Sequence, residues 1–228
     1  MKKGENLMQN LSSAALFDLS HTLASPLLEN CDEPWRALPK LKEFILSLGD
    51  ALDAGIYHQL SPGIWVAKSA VIAPTAVILA PAIIGENTEV RHCAFLRGAT
   101  LIGNDCVVGN SCELKNCILF DSVQVPHFNY VGDSILGYRS HMGAGAVTSN
   151  VKSDHSTVAL HNGGVKIETG MKKLGALLGD FVEIGCNSVL NPGTVIGRHS
   201  RVYPLTSVRG SVPPDSIVKA TDTIVPLK

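Results

Sequence analysis

An apolar residue recurs at every sixth position through the first half of the sequence, and this spacing constrains the fold more than any other feature. The run has no exception over ten positions, although only 45% of the chain is hydrophobic. Its members are Val66, Ile72, Ile78, Ile84, Val90, Leu96, Ile102, Val108, Leu114 and Phe120. Four positions after most of them stands a small residue, such as Ala70, Ala76 or Ala82. A fixed period of this kind indicates a repeat architecture of stacked, similar units.

Each hexapeptide of such a repeat supplies one short strand and one turn, and three hexapeptides close a triangular coil of about 18 residues. The apolar residue points into the prism, and the small residue lies near a corner, where a large side chain would collide. Successive coils stack about 4.8 Å apart and satisfy each other's backbone hydrogen bonds. The pattern therefore predicts an all-β fold, a left-handed parallel β-helix built from hexapeptide repeats.

The repeat changes phase around QVPHFNYVGDS, residues 124–134, and then continues. Its later members are Leu136, Met142, Leu178, Ile184, Leu190, Ile196, Val202 and Val208. Phe120 is the last member in the first phase and Leu136 is the first in the second, so we expect the break to span one turn of the prism. A displaced corner at this place would project His127 and Tyr130 into a cleft.

A polar segment at about 150–176 interrupts the second phase of the repeat. It contains the adjacent glycines Gly163 and Gly164 and has no internal repeat. The interval between Met142 and Leu178 is a multiple of six, so the β-helix can continue in register after it. We expect a long loop that projects from one corner, and loops of this length are usually functional or disordered.

Residues 1–62 lack the repeat and form a separate N-terminal segment. Two stretches in it look helical, and Pro39 and Gly49 mark the start and the end of the second. We expect this helical segment to cap the open first coil, because the terminal repeats of solenoids need a cover. An arm for docking a partner or for oligomerisation is the alternative. The predicted domains are therefore the helical segment 1–62 and the β-helix 63–228.

The composition argues against several functional classes. The formal net charge is −1, whereas nucleic-acid binders usually carry an excess of Lys and Arg. The sequence contains no apolar run of about 18 residues, the length needed to span a membrane. Asp18 and His21 interrupt the stretch that could otherwise be the apolar part of a signal peptide. The cysteines at positions 31, 93, 106, 112, 117 and 186 form no CxxC pair. We therefore expect a reduced, cytoplasmic protein without a metal site.

From about residue 90 to residue 212, the sequence resembles the acetyltransferase domain of the bacterial bifunctional N-acetylglucosamine-1-phosphate uridyltransferase/glucosamine-1-phosphate acetyltransferase. The resemblance lies in the motifs FLRGATLIG, ELKNC, PHFNYVGDS, GAGAVTSN and LLGDFVEIGCNSVLNPGTVIG. It implies transfer of an acetyl group from acetyl-coenzyme A to an amino-sugar phosphate, by a homotrimer with its active site between subunits. We expect no uridyltransferase domain, because residues 1–62 are too few to contain one.

The resemblance also implies a role for individual residues. His127 matches the base that accepts the amine proton, and Tyr130 and Asn150 complete the implied catalytic set. The implied substrate-binding residues are Arg97, Lys115, Tyr130, His141, Lys152 and Lys166, and the implied coenzyme-binding residues are Ala144, Cys186 and Pro204. This chain departs from the family at His141, where the family has an asparagine, and at Cys186, where it often has a serine. The family's loop after Asn150 is also short and carries a phosphate-binding lysine, for which this chain offers two candidates.

The reaction itself needs the same residue types. An amine that attacks a thioester must lose a proton to a base, and the resulting oxyanion must find hydrogen-bond donors. A histidine suits the role of the base at neutral pH, and backbone N–H groups in GAGA can meet the oxyanion. Arg97 and Lys115 lie three hexapeptides apart, so we expect them to share a corner in adjacent coils. There they would present two cations to an anionic sugar phosphate.

Three other functions remain open from the sequence. A zinc-dependent carbonic anhydrase on the same fold would need three converging histidines, and the nearest pair, His155 and His161, lies in the irregular segment. A non-catalytic hexapeptide-repeat scaffold would keep the fold without binding a coenzyme. An acyltransferase acting on another amino sugar or on a sugar nucleotide would suit the long segment and His141.

Overall fold

The computed structural model describes residues 11–221 and 223–227, in which short parallel strands joined by turns wind into a triangular coil between residues 64 and 220. Each turn of the coil contributes one strand to each of three faces. Strands stack on equivalent strands of the turns before and after, so each coil hydrogen-bonds to its neighbours. The predicted all-β, left-handed parallel β-helix of hexapeptide repeats is confirmed.

The three faces are called the covered face, the charged face and the cleft face below. The covered face contains β2 (Ile64–Ala67), β5 (Ala82–Ile84), β8 (Thr100–Ile102), the second halves of β10 (Glu113–Leu119) and β12 (Tyr130–Leu136), β17 (Ala176–Leu178), β20 (Thr194–Ile196) and β23 (Ser211–Val212). The charged face contains β3 (Val71–Ile72), β6 (Glu89–Val90), β9 (Val107–Asn110), β11 (Gln124–His127), β13 (His141–Met142), β18 (Glu183–Ile184), β21 (Arg201–Val202) and β24 (Ser216–Ala220). The cleft face contains β4 (Val77–Ile78), β7 (Phe95–Leu96), the first halves of β10 and β12, β14 (Val147–Thr148), β19 (Val189–Leu190) and β22 (Ser207–Val208).

Antiparallel strands close both ends of the solenoid. β1 (Tyr57–Ser61) pairs with β2 at the first coil, and β25 (Thr223–Pro226) pairs with β24 at the last. Because β1 begins at Tyr57, the β-structure starts inside the segment predicted to be helical. The domain boundary at residue 62 itself remains a prediction.

The repeat changes phase twice, once before the stretch 124–134 that the sequence indicated and once inside it. Corner residues with a left-handed backbone mark each turn, and from Asn87 to Gly145 they step by six residues except at two places. One step of five leads from Ser111 to Asn116, and another leads from Phe128 to Asp133. The strand register places Asn116 beside Asp133, because the flanking residues of β10 and β12 pair directly. Two shortened corners therefore stack on each other.

The corner that carries His127 is regular, so the predicted displaced corner at this histidine is wrong. The step from Ser122 to Phe128 keeps six residues. The inward column passes from Ile102 to Leu119 and not to Phe120. Phe120 is also apolar and fully buried, so the apolar repeat in the sequence continues through it. The phase change at Asn116 therefore does not interrupt the pattern that the sequence shows.

Between residues 11 and 56, the described part of the N-terminal segment before β1, lie three short helices and two 3₁₀ turns. They are α1 (Ser13–Leu16), the 3₁₀ turn Leu19–His21, α2 (Ser25–Glu29), the 3₁₀ turn Pro34–Lys40 and α3 (Leu41–Gly49). Pro39 and Gly49 fall where they were predicted, just before α3 and at its end. No helix in the described part of the chain is both long and apolar enough to cross a membrane.

The sequence predicted that this segment covers the open first coil. In the structure the segment also lies along the side of the prism. An outward-facing apolar column runs the length of the covered face: Ile83, Leu101, Ile118, Ile135, Leu177 and Val195, each at most 1% exposed. Helix α3 lies against β5, β8 and β10, and the second 3₁₀ turn lies against β12. Near α1, the ring of Phe17 packs 5.0 Å from that of Phe120. The column must be buried, and the segment buries it.

A buried carboxylate fastens the segment to the corner between the covered and charged faces. Asp180 is 1% exposed, and its carboxylate accepts hydrogen bonds from the Asp18 N–H at 2.7 Å and from Arg198 at 2.5 Å. The ring of His21 stacks on Tyr138 with centroids 3.6 Å apart. These contacts position the segment laterally, away from the two remaining faces.

The polar insertion forms a hairpin that folds back onto the solenoid. Strands β15 (Ala159–Asn162) and β16 (Val165–Glu168) pair antiparallel on either side of the adjacent glycines Gly163 and Gly164. Val158 and Leu160 are fully buried. The backbone of Ala159 passes so close to Gly193 that a Cβ there would lie 2.9 Å from the Ala159 carbonyl oxygen. The expected projecting loop is therefore a packed cover along the corner between the cleft and covered faces.

Candidate active site

Four of the predicted site residues form one column at the corner between the charged and cleft faces. They are His127, Ala144, Cys186 and Pro204, and this column of corner residues is called the histidine corner below. Gly145 N–H donates to the His127 carbonyl at 3.0 Å, and Asn187 N–H donates to the Ala144 carbonyl at 2.8 Å. These bonds align the predicted base and the three predicted coenzyme residues in successive coils, about 4.8 Å apart.

The His127 side chain is exposed, and no described group hydrogen-bonds its imidazole. Its backbone is held firmly, because the His127 N–H donates to the Asn129 side-chain oxygen at 3.0 Å. Asn129 is 2% exposed and donates to the carbonyls of Gly143 at 2.8 Å and Ala146 at 3.0 Å. Asn129 thus ties the turn of His127 to GAGA in the next coil.

The sequence reasoning missed Asn129, although a signal was present. The equivalent corner position holds a small residue in the neighbouring coils: Ala94, Cys112, Ala146, Ser188 and Thr206. An amide in such a position can be buried only if its hydrogen bonds are made. The interruption of a small-residue column by Asn129 therefore indicates a structural polar contact.

The histidine corner also presents a backbone donor and exposed apolar side chains. The N–H of Ala144 has no acceptor among the described residues, whereas the next N–H, of Gly145, is occupied. Phe128 is 61% exposed and Leu205 is 80% exposed, and they follow His127 and Pro204 directly. The corner therefore offers an exposed imidazole, an unoccupied N–H and an apolar surface on one line.

Three other predicted residues meet at the corner between the cleft and covered faces. Here Asp133, only 4% exposed, accepts hydrogen bonds from Asn150 at 2.5 Å and from Asn116 at 2.8 Å. The Lys115 ammonium lies 3.5 Å from the same carboxylate. Asn150 also donates to the Tyr130 hydroxyl at 3.1 Å. These five residues are called the aspartate corner below.

Tyr130 is the member of this group whose protonation is perturbed. Burial raises the pKa of its phenol, the hydrogen bond from Asn150 opposes this effect, and the carboxylates of Asp133 and Glu113 add to it. The phenol therefore keeps its proton at neutral pH and can act as a hydrogen-bond donor.

Arg97 lies one coil below Lys115, as predicted, because Leu96 pairs with Leu114. Its guanidinium contacts the carboxylate of Glu113 at 2.7 Å. Both cations at this edge thus have a carboxylate partner within the chain, so an anionic ligand would share them with Glu113 and Asp133.

The remaining predicted substrate residues do not join either corner within one chain. His141 lies on the charged face, where its Nδ1 is 2.8 Å from Glu183. Lys152 lies 3.4 Å from Asp154, and Lys166 pairs with Glu168. Their roles in binding stay predictions. Within residues 11–221 and 223–227, no group of three His, Cys, Asp or Glu side chains is arranged to hold a metal ion.

Residues 94–212 match a protein family described as the GMPPB C-terminal domain. This match covers about half of the chain and contains every predicted site residue. The chain belongs to this family.

Relatives of this GMPPB C-terminal domain protein include longer, bifunctional proteins. A bifunctional sugar-1-phosphate nucleotidylyltransferase/acetyltransferase of Sulfurisphaera tokodaii is 32% identical over 111 residues, which are 49% of this chain and 28% of the relative. The bifunctional protein GlmU of Methanococcus maripaludis is 31% identical over 194 residues, which are 84% of this chain and 47% of the relative. The chain thus spans less than half the length of each.

Among solved structures, a hexapeptide transferase family protein from Anaplasma phagocytophilum is similar with a TM-score of 0.41 and 14% identity. The similarity covers 73% of this chain and 81% of that one.

Proposed function

We propose that this protein is an acetyl-coenzyme A-dependent N-acetyltransferase that acts on an amino-sugar phosphate. The family match over 94–212 and the relative named as a sugar-1-phosphate nucleotidylyltransferase/acetyltransferase support this reaction class. The observation that carries the proposal is the column of His127, Ala144, Cys186 and Pro204 at the histidine corner. His127, whose imidazole is exposed, lies there one coil away from the unoccupied N–H of Ala144.

The proposed chemistry is direct attack of the amine on the thioester. The amine nitrogen forms a bond to the carbonyl carbon and passes its proton to His127, while the Ala144 N–H donates to the oxyanion. Collapse of the tetrahedral intermediate breaks the C–S bond, and the coenzyme leaves as a thiolate. The imidazolium returns the proton to sulfur, so the products are the N-acetyl sugar and coenzyme A.

The width of the cleft face fits an acceptor of this kind. His127 and Tyr130 are three residues apart across the turn at Phe128, so their backbones are separated by less than the about 10 Å of an extended strand. An amine at the histidine corner would therefore leave the far end of a sugar phosphate near the aspartate corner. There the long side chains of Lys115 and Arg97 would contact the phosphate in competition with their carboxylate partners.

We further propose that the functional unit is a homotrimer in the cytoplasm, with each site completed by a neighbouring chain. The N-terminal segment already occupies the covered face, so only the charged and cleft faces remain free for packing. The exposed Phe128 and Leu205 border the histidine corner and would become buried between chains. Closed rotational symmetry is the usual outcome for such an arrangement.

An assay of thiol release from acetyl-coenzyme A, with a panel of acceptors, tests the proposal. Glucosamine-1-phosphate is expected to give the highest kcat/KM, followed by other amino-sugar phosphates. Turnover only with an unphosphorylated amino sugar or with a sugar nucleotide would favour the alternative acceptor class. Absence of both turnover and coenzyme A binding would instead support a scaffold.

A further inference from the structure

Asp133 is a buried carboxylate to which the sequence assigned no role. An ionised carboxylate can only accept hydrogen bonds. Its partners are therefore fixed in polarity: the neighbouring amides of Asn116 and Asn150 must turn their NH₂ groups towards it. The two amide contacts, at 2.8 Å and 2.5 Å, are shorter than the 3.5 Å contact to the Lys115 ammonium. Asp133 therefore orients the two amides in addition to forming an ion pair with the Lys115 ammonium.

The orientation of Asn150 follows from this contact. Side-chain amide orientation is decided by the hydrogen-bond network, and here the NH₂ group donates to both Asp133 and the Tyr130 hydroxyl oxygen. The Asn150 Oδ1 has no hydrogen-bond partner among the described residues. Since the Tyr130 oxygen accepts from Asn150, the hydrogen of its own hydroxyl stays available. The pair thus presents one acceptor and one donor.

The backbone around the pair is built to keep it in place. A Cβ at Gly132 would overlap the Tyr130 hydroxyl and lie 2.8 Å from the Asn150 Nδ2, so only glycine leaves room for the contact. The chain that returns from the hairpin is fastened at the same point. Leu174 N–H donates to the Asn150 carbonyl at 3.0 Å, and Gly175 N–H donates to the Asp133 carbonyl at 2.8 Å.

We propose that Asp133 is a positioning residue for acetyl transfer, which fixes Asn150 with its oxygen towards the acceptor and Tyr130 with its hydroxyl hydrogen towards the acceptor. In this arrangement Asn150 accepts from the amine or a neighbouring hydroxyl of the sugar, and Tyr130 donates to an oxygen of the sugar or its phosphate. The inference rests on the proposed function for its kinetic consequence. The orientation of Asn150 can be measured without any activity.

The kinetic test is a double-mutant cycle between Asp133 and Asn150. Asp133→Asn keeps the size of the side chain but can pair with either end of the Asn150 amide, so kcat should fall about 10- to 100-fold with a smaller change in KM. In an Asn150→Ala background the same substitution should change kcat by less than about 2-fold, since its target is gone. In a Lys115→Ala background the full loss of kcat should persist. Independent, multiplying effects of Asp133→Asn and Asn150→Ala would show a merely structural role and overturn the proposal.

The direct test is hydrogen exchange of the Asn150 side-chain NH₂, followed by NMR of the ¹⁵N-labelled full chain. Slow exchange is expected in the unmodified protein and fast exchange in Asp133→Asn. The side-chain amide of Asn191, which bonds Val208 and Ser207 elsewhere, is the matched control and should not change. Fast exchange of Asn150 in the unmodified protein would refute the proposal whatever the assay shows. Slow exchange in a chain without transferase activity would leave the orientation intact and remove the proposed function instead.

Discussion

The histidine corner and the aspartate corner lie at opposite edges of the cleft face, but their polar groups differ in how many hydrogen bonds they make within the chain. At the histidine corner the imidazole is exposed and has no described hydrogen-bond partner, and an N–H at Ala144 is unoccupied. At the aspartate corner a carboxylate that is 4% exposed has three partners within the chain. Hydrogen-bonding capacity is thus left open at one edge and satisfied at the other.

This difference indicates a division of labour. Open groups at a regular corner can meet a ligand without first breaking internal contacts. A buried carboxylate whose hydrogen bonds are made resists rearrangement, so Asp133 can hold the neighbouring contact groups in one geometry. The two shortened corners at Asn116 and Asp133, stacked on each other, create the second environment.

The largest effect should come from removing the open imidazole. His127→Ala is expected to lower kcat about 10²- to 10⁴-fold, the usual contribution of a general base, and to leave the melting temperature unchanged because the side chain is exposed. Thiol release and thermal melting measure the two effects. His92→Ala, two coils earlier at the same corner and also exposed, is the control and should keep wild-type turnover. Full turnover in His127→Ala would remove this histidine from the mechanism.

A substitution at the aspartate corner should instead affect stability together with activity. In Gly132→Ala the new Cβ would collide with Tyr130 and Asn150, which should destabilise the fold by about 1–3 kcal/mol. That corresponds to a fall in melting temperature of several degrees for a chain of this size. Gly55→Ala, where a Cβ would meet only the flexible side chain of Asp53, is the control. A Gly132→Ala protein that melted and turned over like the original would show that the network is not tightly packed.

Thiol labelling compares the histidine corner with the prism interior. Cys93 and Cys186 are exposed, whereas burial raises the pKa of Cys106 to about 12 and also raises that of Cys117. Because the thiolate is the reactive form, iodoacetamide at pH 8 should give two adducts on the folded protein and six after unfolding. Mass spectrometry of peptides locates them.

Coenzyme A should protect Cys186 and leave Cys93 reactive, since only Cys186 stands in the column of His127. Equal protection of both thiols, or of neither, would place the coenzyme away from this column.

The smallest effect is expected at the exposed ion pair beside the aspartate corner. Glu113→Gln removes the carboxylate partner of Arg97, and exposed pairs contribute only about 0–1 kcal/mol. The melting temperature should therefore shift by at most a few degrees. Release of the guanidinium should lower KM for a phosphorylated acceptor a few-fold while KM for acetyl-coenzyme A stays constant. An unchanged acceptor KM would show that Arg97 does not contact the phosphate.

Some features that the sequence reasoning missed were visible in the sequence. The covered face could have been identified, because the residue before the repeat position is apolar in every third hexapeptide, as in Ile83, Leu101 and Ile135. That column predicts a cover along the side of the prism. Asn129 in a column of small residues was a comparable signal. Asp133 was harder to find, since a corner aspartate is ordinary in a turn unless its burial is known.

The sequence by itself determined the solenoid, its inward apolar column, the site of the insertion and, through motif resemblance, the residues of the two corners other than Asn116 and Asp133. These depend on local periodicity, which one chain segment expresses without reference to another. Only the tertiary structure decided that the phase changes at Asn116 and Asp133, that the N-terminal segment and the hairpin pack along the prism, and which polar groups are paired. Stacking brings together residues about 17 positions apart, such as Asn116 and Asp133. Whether a buried group finds a partner there depends on register between coils, and no pattern within a single hexapeptide encodes it.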